Sequence, residues 1–286
     1  MERTNSGWGS GLLGVIIFSG SLPATRVAVA DFSPLFLTSA RAVIAALLGA
    51  LFLFALRQKR PERGDFISLA LVALGVVVGF PLLTALALQH ISAAHSIVFI
   101  GLLPLATAIF GVMRGGERPK TAFWLFSVAG AATVAGFALY GSARGTLTGD
   151  LLMIAAIIVC GLGYAEGAAL SRRLGGWQVI SWALLLSLPV LAAIAVATMP
   201  GTWNGIGIPA WIGLAYVSVF SMMVGFIFWY RGLARGGIAG VGQLQLLQPF
   251  FGFVLAAVLL GEPIAWTMIA SAMIVVICVA GAKRFA

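Results

Sequence analysis

Stretches of about twenty apolar residues recur along this chain with only short breaks between them, and no other feature constrains the fold so tightly. A helix needs about 20 such residues to cross the hydrocarbon core of a bilayer. Ten segments qualify: 11–30, 35–56, 66–89, 93–113, 121–140, 150–170, 178–198, 210–229, 238–260 and 264–282. Their connections are punctuated by Pro61, Pro119, Pro200, Pro209 and Pro263, and none is long enough for a separate soluble domain. With 61% hydrophobic and 9% charged residues, the surface of a water-soluble fold would be one continuous apolar patch. The expectation is an all-α polytopic membrane protein of ten transmembrane helices, with the lipid bilayer as its solvent.

The net charge of +9 does not indicate a nucleic-acid partner, because the basic residues fall in short clusters between the spans. With the N-terminus inside, the cytoplasmic side holds Arg3, Arg57, Lys59, Arg60, Arg63, Arg114, Arg118, Lys120, Arg172, Arg173, Arg231, Arg235, Lys283 and Arg284, 14 of the 17 basic residues. The outer loops hold only Arg144, and Arg26 and Arg41 lie within spans. This bias places both termini in the cytoplasm and requires an even number of helices. The first segment resembles a signal peptide in length, but lacks a basic leader beyond Arg3 and stays apolar through Ala30; an uncleaved first helix is expected. Cys160 and Cys278 both fall in apolar segments and read as small buried hydrophobes, not as a disulfide or metal framework.

The two halves of the chain resemble each other. Pro104 precedes Gly116-Glu117 as Pro249 precedes Gly261-Glu262, a shift of 145 residues that also maps Gly136 onto Gly281. Five helices then repeat as five, residues 1–145 and 146–286. An odd number per copy inserts the second upside down, with Glu117 on the cytoplasmic side and Glu262 on the outer side. Inverted repeats around a site near the midplane are a transporter signature.

The proline and glycyl-glutamate element ending helices four and nine resembles the ten-helix, EamA-type drug/metabolite transporter superfamily. So do the helix-two arginine followed by small residues (RAVIAALL, 41–48) and the Ser-Arg-Arg ending of helix six (171–173). The family's usual tryptophan near the middle of helix six is absent, and Gly163-Tyr164 stands there. The resemblance implies a bacterial inner-membrane secondary transporter that binds a small molecule between two five-helix repeats and opens alternately to either side. It further implies export of amino acids or related metabolites, the aromatic amino acid exporters being one branch. Lipid, nucleotide-sugar and drug-cation carriers of the same superfamily, and a channel-like facilitator, remain alternatives. The expected assembly is a monomer or weak homodimer. No nucleotide motif or H-E-x-x-H occurs, and no carboxylate pair lies within membrane depth, so neither an enzyme, a cofactor nor a metal is expected.

Candidate site residues begin with the glutamines of GQLQLLQP (242–249). An unpartnered amide costs roughly 4–8 kcal/mol in hydrocarbon. Val241, Gln245, Gln248/Pro249 and Gly252 form one helical stripe, and Pro249 frees the carbonyl about one turn earlier, near Gln245. Gln245 and Gln248 are read as lining the substrate pathway, with amide bonding between helices as the alternative; Gln243 points elsewhere. The matching stripe on helix four is Ser96, Ile100, Leu103/Pro104 and Thr107, with His95 beside it and Phe99 one turn on. His95 reads equally as an interface histidine and as a pore-lining group that couples transport to pH.

Arg26, Arg41 and Glu166 are the ionisable side chains placed well inside spans, each costing about 2.5–3.5 kcal/mol at a helix centre. Outward snorkelling of Arg26 and Arg41, and pairing of Glu166 with cytoplasmic basic residues, are the expected outcomes. The sharper alternative is that Arg41 or Arg26 attracts an amino acid's carboxylate at the outer mouth. Most aromatics, including Phe228, Trp229 and Tyr230, are expected to face lipid or form interfacial belts. Phe18, Phe80, Phe99 and Tyr164 are selected as an apolar cage because they lie beside Pro23, Pro81, Ser96 and Gly163. Pro23, Pro81, Pro104 and Pro249 mark hinges or static kinks.

Overall fold

In a computed structural model of the protein, which describes residues 5–115, 120–140, 146–261 and 263–285, the chain forms ten helical rods. These are α1 (Asn5–Ser19 and Ser21–Ala28), α2 (Pro34–Ala55), α3 (Asp65–Val72, Ala73–Gly79 and Phe80–Ala87), α4 (Ala93–Ile100 and Leu103–Gly115) and α5 (Thr121–Tyr140). The second five are α6 (Leu147–Leu174), α7 (Gly176–Ala197), α8 (Ile208–Ala215, Tyr216–Val224 and Gly225–Gly236), α9 (Ile238–Gly242, Gln243–Leu247 and Gln248–Leu260) and α10 (Trp266–Arg284). Seven are long and apolar enough to cross a membrane, whereas α5, α9 and α10 carry shorter apolar stretches among the described residues. The rod α8 runs to Gly236, beyond the 229 expected from hydropathy, because its last turns carry the exposed Arg231 and Arg235 clear of the apolar layer.

Local signals start these helices. The Ser33 hydroxyl accepts from the Phe36 N–H at 3.2 Å, with Pro34 at the first helical position of α2. Ser92 does the same for His95 at 3.1 Å and Thr146 for Gly149 at 3.2 Å. Each bond satisfies an N–H that the helix itself leaves free.

Three of the interruptions follow prolines. Pro81, Pro104 and Pro249 each sit in the opening turn of a new helical piece, where a missing N–H costs nothing. In α9 the carbonyl of Gln245, left without the Pro249 donor, accepts from the Gln248 N–H, and the turn tightens to a 3₁₀ helix. By contrast, Pro189 sits inside an uninterrupted α7. The broken segments obey the repeat. Shifting the π-helical turn Ala73–Gly79 by 145 residues lands within Tyr216–Val224, and the break after Ile100 lands within Gln243–Leu247.

Packing obeys it too. The dominant pairs are α2 with α7, α5 with α10, α1 with α8, α3 with α6, and α4 with α6. Advancing by five helices and wrapping round turns α1·α8 into α6·α3, and each of α2·α7 and α5·α10 into itself. The protein is thus a duplicated five-helix unit whose second copy is inverted, and its two copies interlock along several helices. Bare backbone makes the α1·α8 seam: a Cβ on Gly232 would lie 2.7 Å from the Gly11 nitrogen, and one on Gly7 would lie 2.8 Å from that of Gly236. Small residues let membrane helices approach this closely. Trp229 and Tyr230, expected to face lipid, are fully buried in this seam and against α6 instead. The Tyr230 hydroxyl donates to the Gly163 carbonyl at 3.1 Å, which spares it an unsatisfied hydroxyl in hydrocarbon.

Candidate functional site

Where the interrupted helices meet, they enclose a small cavity near the middle of the bundle. The first half contributes Phe18, Ser21 and Leu22 from α1, Arg41 from α2, Val76, Phe80 and Pro81 from α3, and Leu103 from α4. The second half contributes Tyr164 from α6, Ser221 and Phe226 from α8, and Gln248 from α9. The space measures about 20 Å³, room for about one water. Ligand pockets run to roughly 300–1,000 Å³, so this conformation is closed around the site.

One end of the cavity is polar. Arg41 is 5% exposed. It therefore does not snorkel: its guanidinium stays in the bundle, where Nη2 donates to the Ser221 hydroxyl at 3.2 Å. Its Nε has no partner, and no carboxylate lies within ion-pair distance of it among the described residues. The Ser221 hydroxyl also meets that of Ser21 at 2.7 Å, joining α8 of one half to α1 of the other. Gln248 donates through Nε2 to the Phe18 carbonyl at 3.4 Å, leaving its Oε1 buried and unpartnered. The other end is aromatic. Phe18 and Phe226 meet edge-on with centroids 5.1 Å apart, and Tyr164 approaches Phe226 at 6.0 Å and Trp229 at 5.5 Å. The arrangement offers one cation, a free amide acceptor and two hydroxyls beside an apolar wall.

Six of the residues singled out from sequence thus line one space: Phe18, Arg41, Phe80, Pro81, Tyr164 and Gln248. Pro23 lines an apolar groove between α1 and α8. Gln245 is fully buried and does not itself line the cavity; its side-chain amide forms no well-aligned hydrogen bond, and its polar neighbour is the Tyr164 side chain of the cavity wall. The helix-four group also lies away from it. His95 Nε2 meets Asp150 Oδ1 at 2.8 Å, a buried contact between α4 and the first turn of α6. Phe99 packs on the His95 ring at 5.8 Å, and the Ser96 hydroxyl donates to the Ala93 carbonyl at 2.8 Å. The other two ionisable residues are held by their neighbours. Arg26 donates to the Leu88 carbonyl at the C-terminal end of α3, where the helix dipole favours a cation. Glu166 pairs with Arg114 of α4, tying α6 to α4. The repeat-related Glu117 and Glu262 lie outside the described residues.

Sequence reasoning missed Ser21, Ser221 and Phe226 in the cavity and Asp150 beside His95. Serine and phenylalanine are ordinary residues in membrane helices and carry no spacing signal. Asp150 did carry one, since an acid in the first turn of an apolar span calls for a partner, and His90 and His95 were both candidates for it; only the structure selects His95.

The model of the EamA-like transporter family matches residues 5–139 and 147–282, once in each half. The chain is 62% identical over 286 residues, 100% of both chains, to an uncharacterized transporter of Bacillus subtilis, YdeK. It is 25% identical over 260 residues to a probable terminal-alkyne amino-acid exporter of Streptantibioticus cattleyicolor, covering 88% of this chain and 84% of that one. A crystal structure matches with a TM-score of 0.73 at 20% identity, covering 100% of both chains, a likeness of fold.

Proposed function

The chain belongs to the EamA-like transporter family and carries small metabolites across a membrane, and we propose that its cargo is amino acids, the aromatic and other apolar ones among them. Export proceeds from the cytoplasm across the bacterial inner membrane, with both termini inside and halves 1–145 and 146–286 alternating in access. The observation that carries this reading is Arg41, a guanidinium buried at the centre of the bundle with a single hydroxyl partner. A cation kept in that position is costly and marks function by default. A carboxylate brought by the substrate answers it with charge-assisted, forked hydrogen bonds. The free Oε1 of Gln248 and the Ser21 and Ser221 hydroxyls then accept from the ammonium group. Phe18, Phe80, Tyr164 and Phe226 receive the side chain, a wall that admits many apolar shapes and gives broad selectivity. The amino-acid exporter among the relatives supports the same cargo.

Loading requires the closed cavity to open. The Ser21–Ser221 bond spans the two halves, so it parts when they separate, and the substrate's polar groups replace it. Counterflow in proteoliposomes tests the reading. Vesicles loaded with unlabelled phenylalanine or leucine should transiently accumulate the same compound in labelled form, and Gln248→Leu should reduce that accumulation. Folded protein that accumulates no amino acid, but does accumulate a lipophilic cation, would overturn it.

A further inference from the structure

A second and larger hollow, of about 620 Å³, opens where α6 ends, α7 begins and α8 leaves the bundle. Four arginines line it, Arg172 and Arg173 from the end of α6 and Arg231 and Arg235 from α8. Arg173 is neutralised by Asp65, with Glu62 at 3.5 Å. The other three are exposed and have no carboxylate within ion-pair distance among the described residues. The hollow therefore carries unbalanced positive charge that the fold does not use.

Two further observations point to an anion. The 22-residue α7 starts at Gly176 with no side chain capping its first N–H groups, so free donors and the positive end of the dipole face the hollow. Ser171, also in its wall, is 5% exposed and its hydroxyl has no partner. A polar atom so placed is satisfied when a ligand fills the space. The floor is rigid, because a Cβ on Gly176 would lie 2.7 Å from the Arg231 nitrogen. The remaining wall is mostly apolar, with Leu174, half-buried Trp177 and Ile227, and its one further polar side chain is Gln178, which donates to Gln58 Oε1 at 3.2 Å.

We propose that this hollow binds the phosphate headgroup of an anionic membrane phospholipid. The phosphate sits between Arg172, Arg231 and Arg235 at the α7 N-terminus, Ser171 donates to it, and the glycerol and upper acyl segments lie on Trp177 and Ile227. Basic pockets between membrane helices recognise lipids in this way. A phosphate bridging Arg172 to Arg231 braces the ends of α6 and α8, two helices that also line the central cavity.

The test titrates phosphatidylglycerol or phosphatidylcholine into delipidated, detergent-solubilised full-length protein and counts bound lipid by native mass spectrometry. Wild type should retain phosphatidylglycerol in preference to phosphatidylcholine. The double variant R231Q/R235Q should bind phosphatidylglycerol about 30-fold more weakly, at about 1 kcal/mol for each arginine lost, with phosphatidylcholine unchanged. K120Q/R284Q, which removes the same charge at exposed residues outside the hollow, should behave as wild type. Should the double variant not fold, R172Q serves in its place. Equal retention of both lipids, or equal losses in R231Q/R235Q and K120Q/R284Q, would overturn the site. Displacement by millimolar sodium phosphate would overturn the lipid as its occupant and assign the hollow to a soluble anion.

Discussion

Replacing Arg41 by glutamine separates the two roles open to a buried guanidinium. If the group is structural, its loss weakens the fold; if it waits for a substrate, its loss weakens binding and spares the fold. The structure sets both magnitudes. Arg41 makes one hydrogen bond, to Ser221 at 3.2 Å, and its Nε makes none. The substitution therefore forfeits about 1 kcal/mol of bonding and removes a cation whose insertion costs about 2.5–3.5 kcal/mol. The melting temperature in detergent should hold or rise. On the substrate side, a hydrogen bond between charged groups contributes about 1.5–3 kcal/mol, so a carboxylate ligand should bind about 10- to 150-fold more weakly. The assay is counterflow, comparing half-saturation for phenylalanine with that for phenylalanine amide, which has no carboxylate. Wild type should prefer the acid. Arg41→Gln should lose that preference mainly through the acid, as expected when a variant and a truncated ligand remove the same contact. A variant that keeps wild-type half-saturation, or that weakens acid and amide alike while melting earlier, would refute the reasoning and return Arg41 to a structural role.

Gln245 and Gln248 should part company. Gln245→Leu removes a buried amide that makes no well-aligned hydrogen bond, beside Tyr164; it should raise the melting temperature through the recovery of about 1–3 kcal/mol and keep counterflow, and abolished counterflow would place Gln245 in the pathway after all. Gln248→Leu should reduce counterflow with little change in melting. The His95–Asp150 hydrogen bond, buried at 2.8 Å, predicts that Asp150→Asn lowers stability by about 1–3 kcal/mol, and that adding His95→Asn recovers part of it. Thermal melts of the singles and the double test this, and additive losses would show that the two do not interact. For orientation, cysteine at Arg235 should be shielded from an impermeant maleimide on intact cells, and cysteine at Trp203 should be labelled; the reverse pattern would invert the topology.

Much of the architecture was legible in the chain. Runs of about twenty apolar residues leave a bilayer as the only workable solvent. The 145-residue shift between Pro104 and Pro249 anticipated the duplication, because a proline that starts a helical piece in one copy does so in the other. Pro81 was equally readable as a break. Pro189 is the same residue type, yet it lies exposed within a continuous α7.

What the sequence by itself determined is the number of helices, the breaks at Pro81, Pro104 and Pro249, and the inverted repeat, each fixed by local chemistry: length against bilayer thickness, missing N–H groups, and an odd count per copy. Only the tertiary structure decided that Arg41 turns inward onto Ser221, that Trp229 and Tyr230 leave the lipid for the bundle, that Glu166 finds Arg114 and His95 finds Asp150. The physical reason is the solvent. In water an amphipathic pattern separates inside from outside, but lipid and protein interior are equally apolar, so a membrane helix carries little periodic signal of which face looks inward. Those choices rest on close packing at glycines and on which polar groups meet across helices distant in sequence, and both exist only once the bundle has assembled.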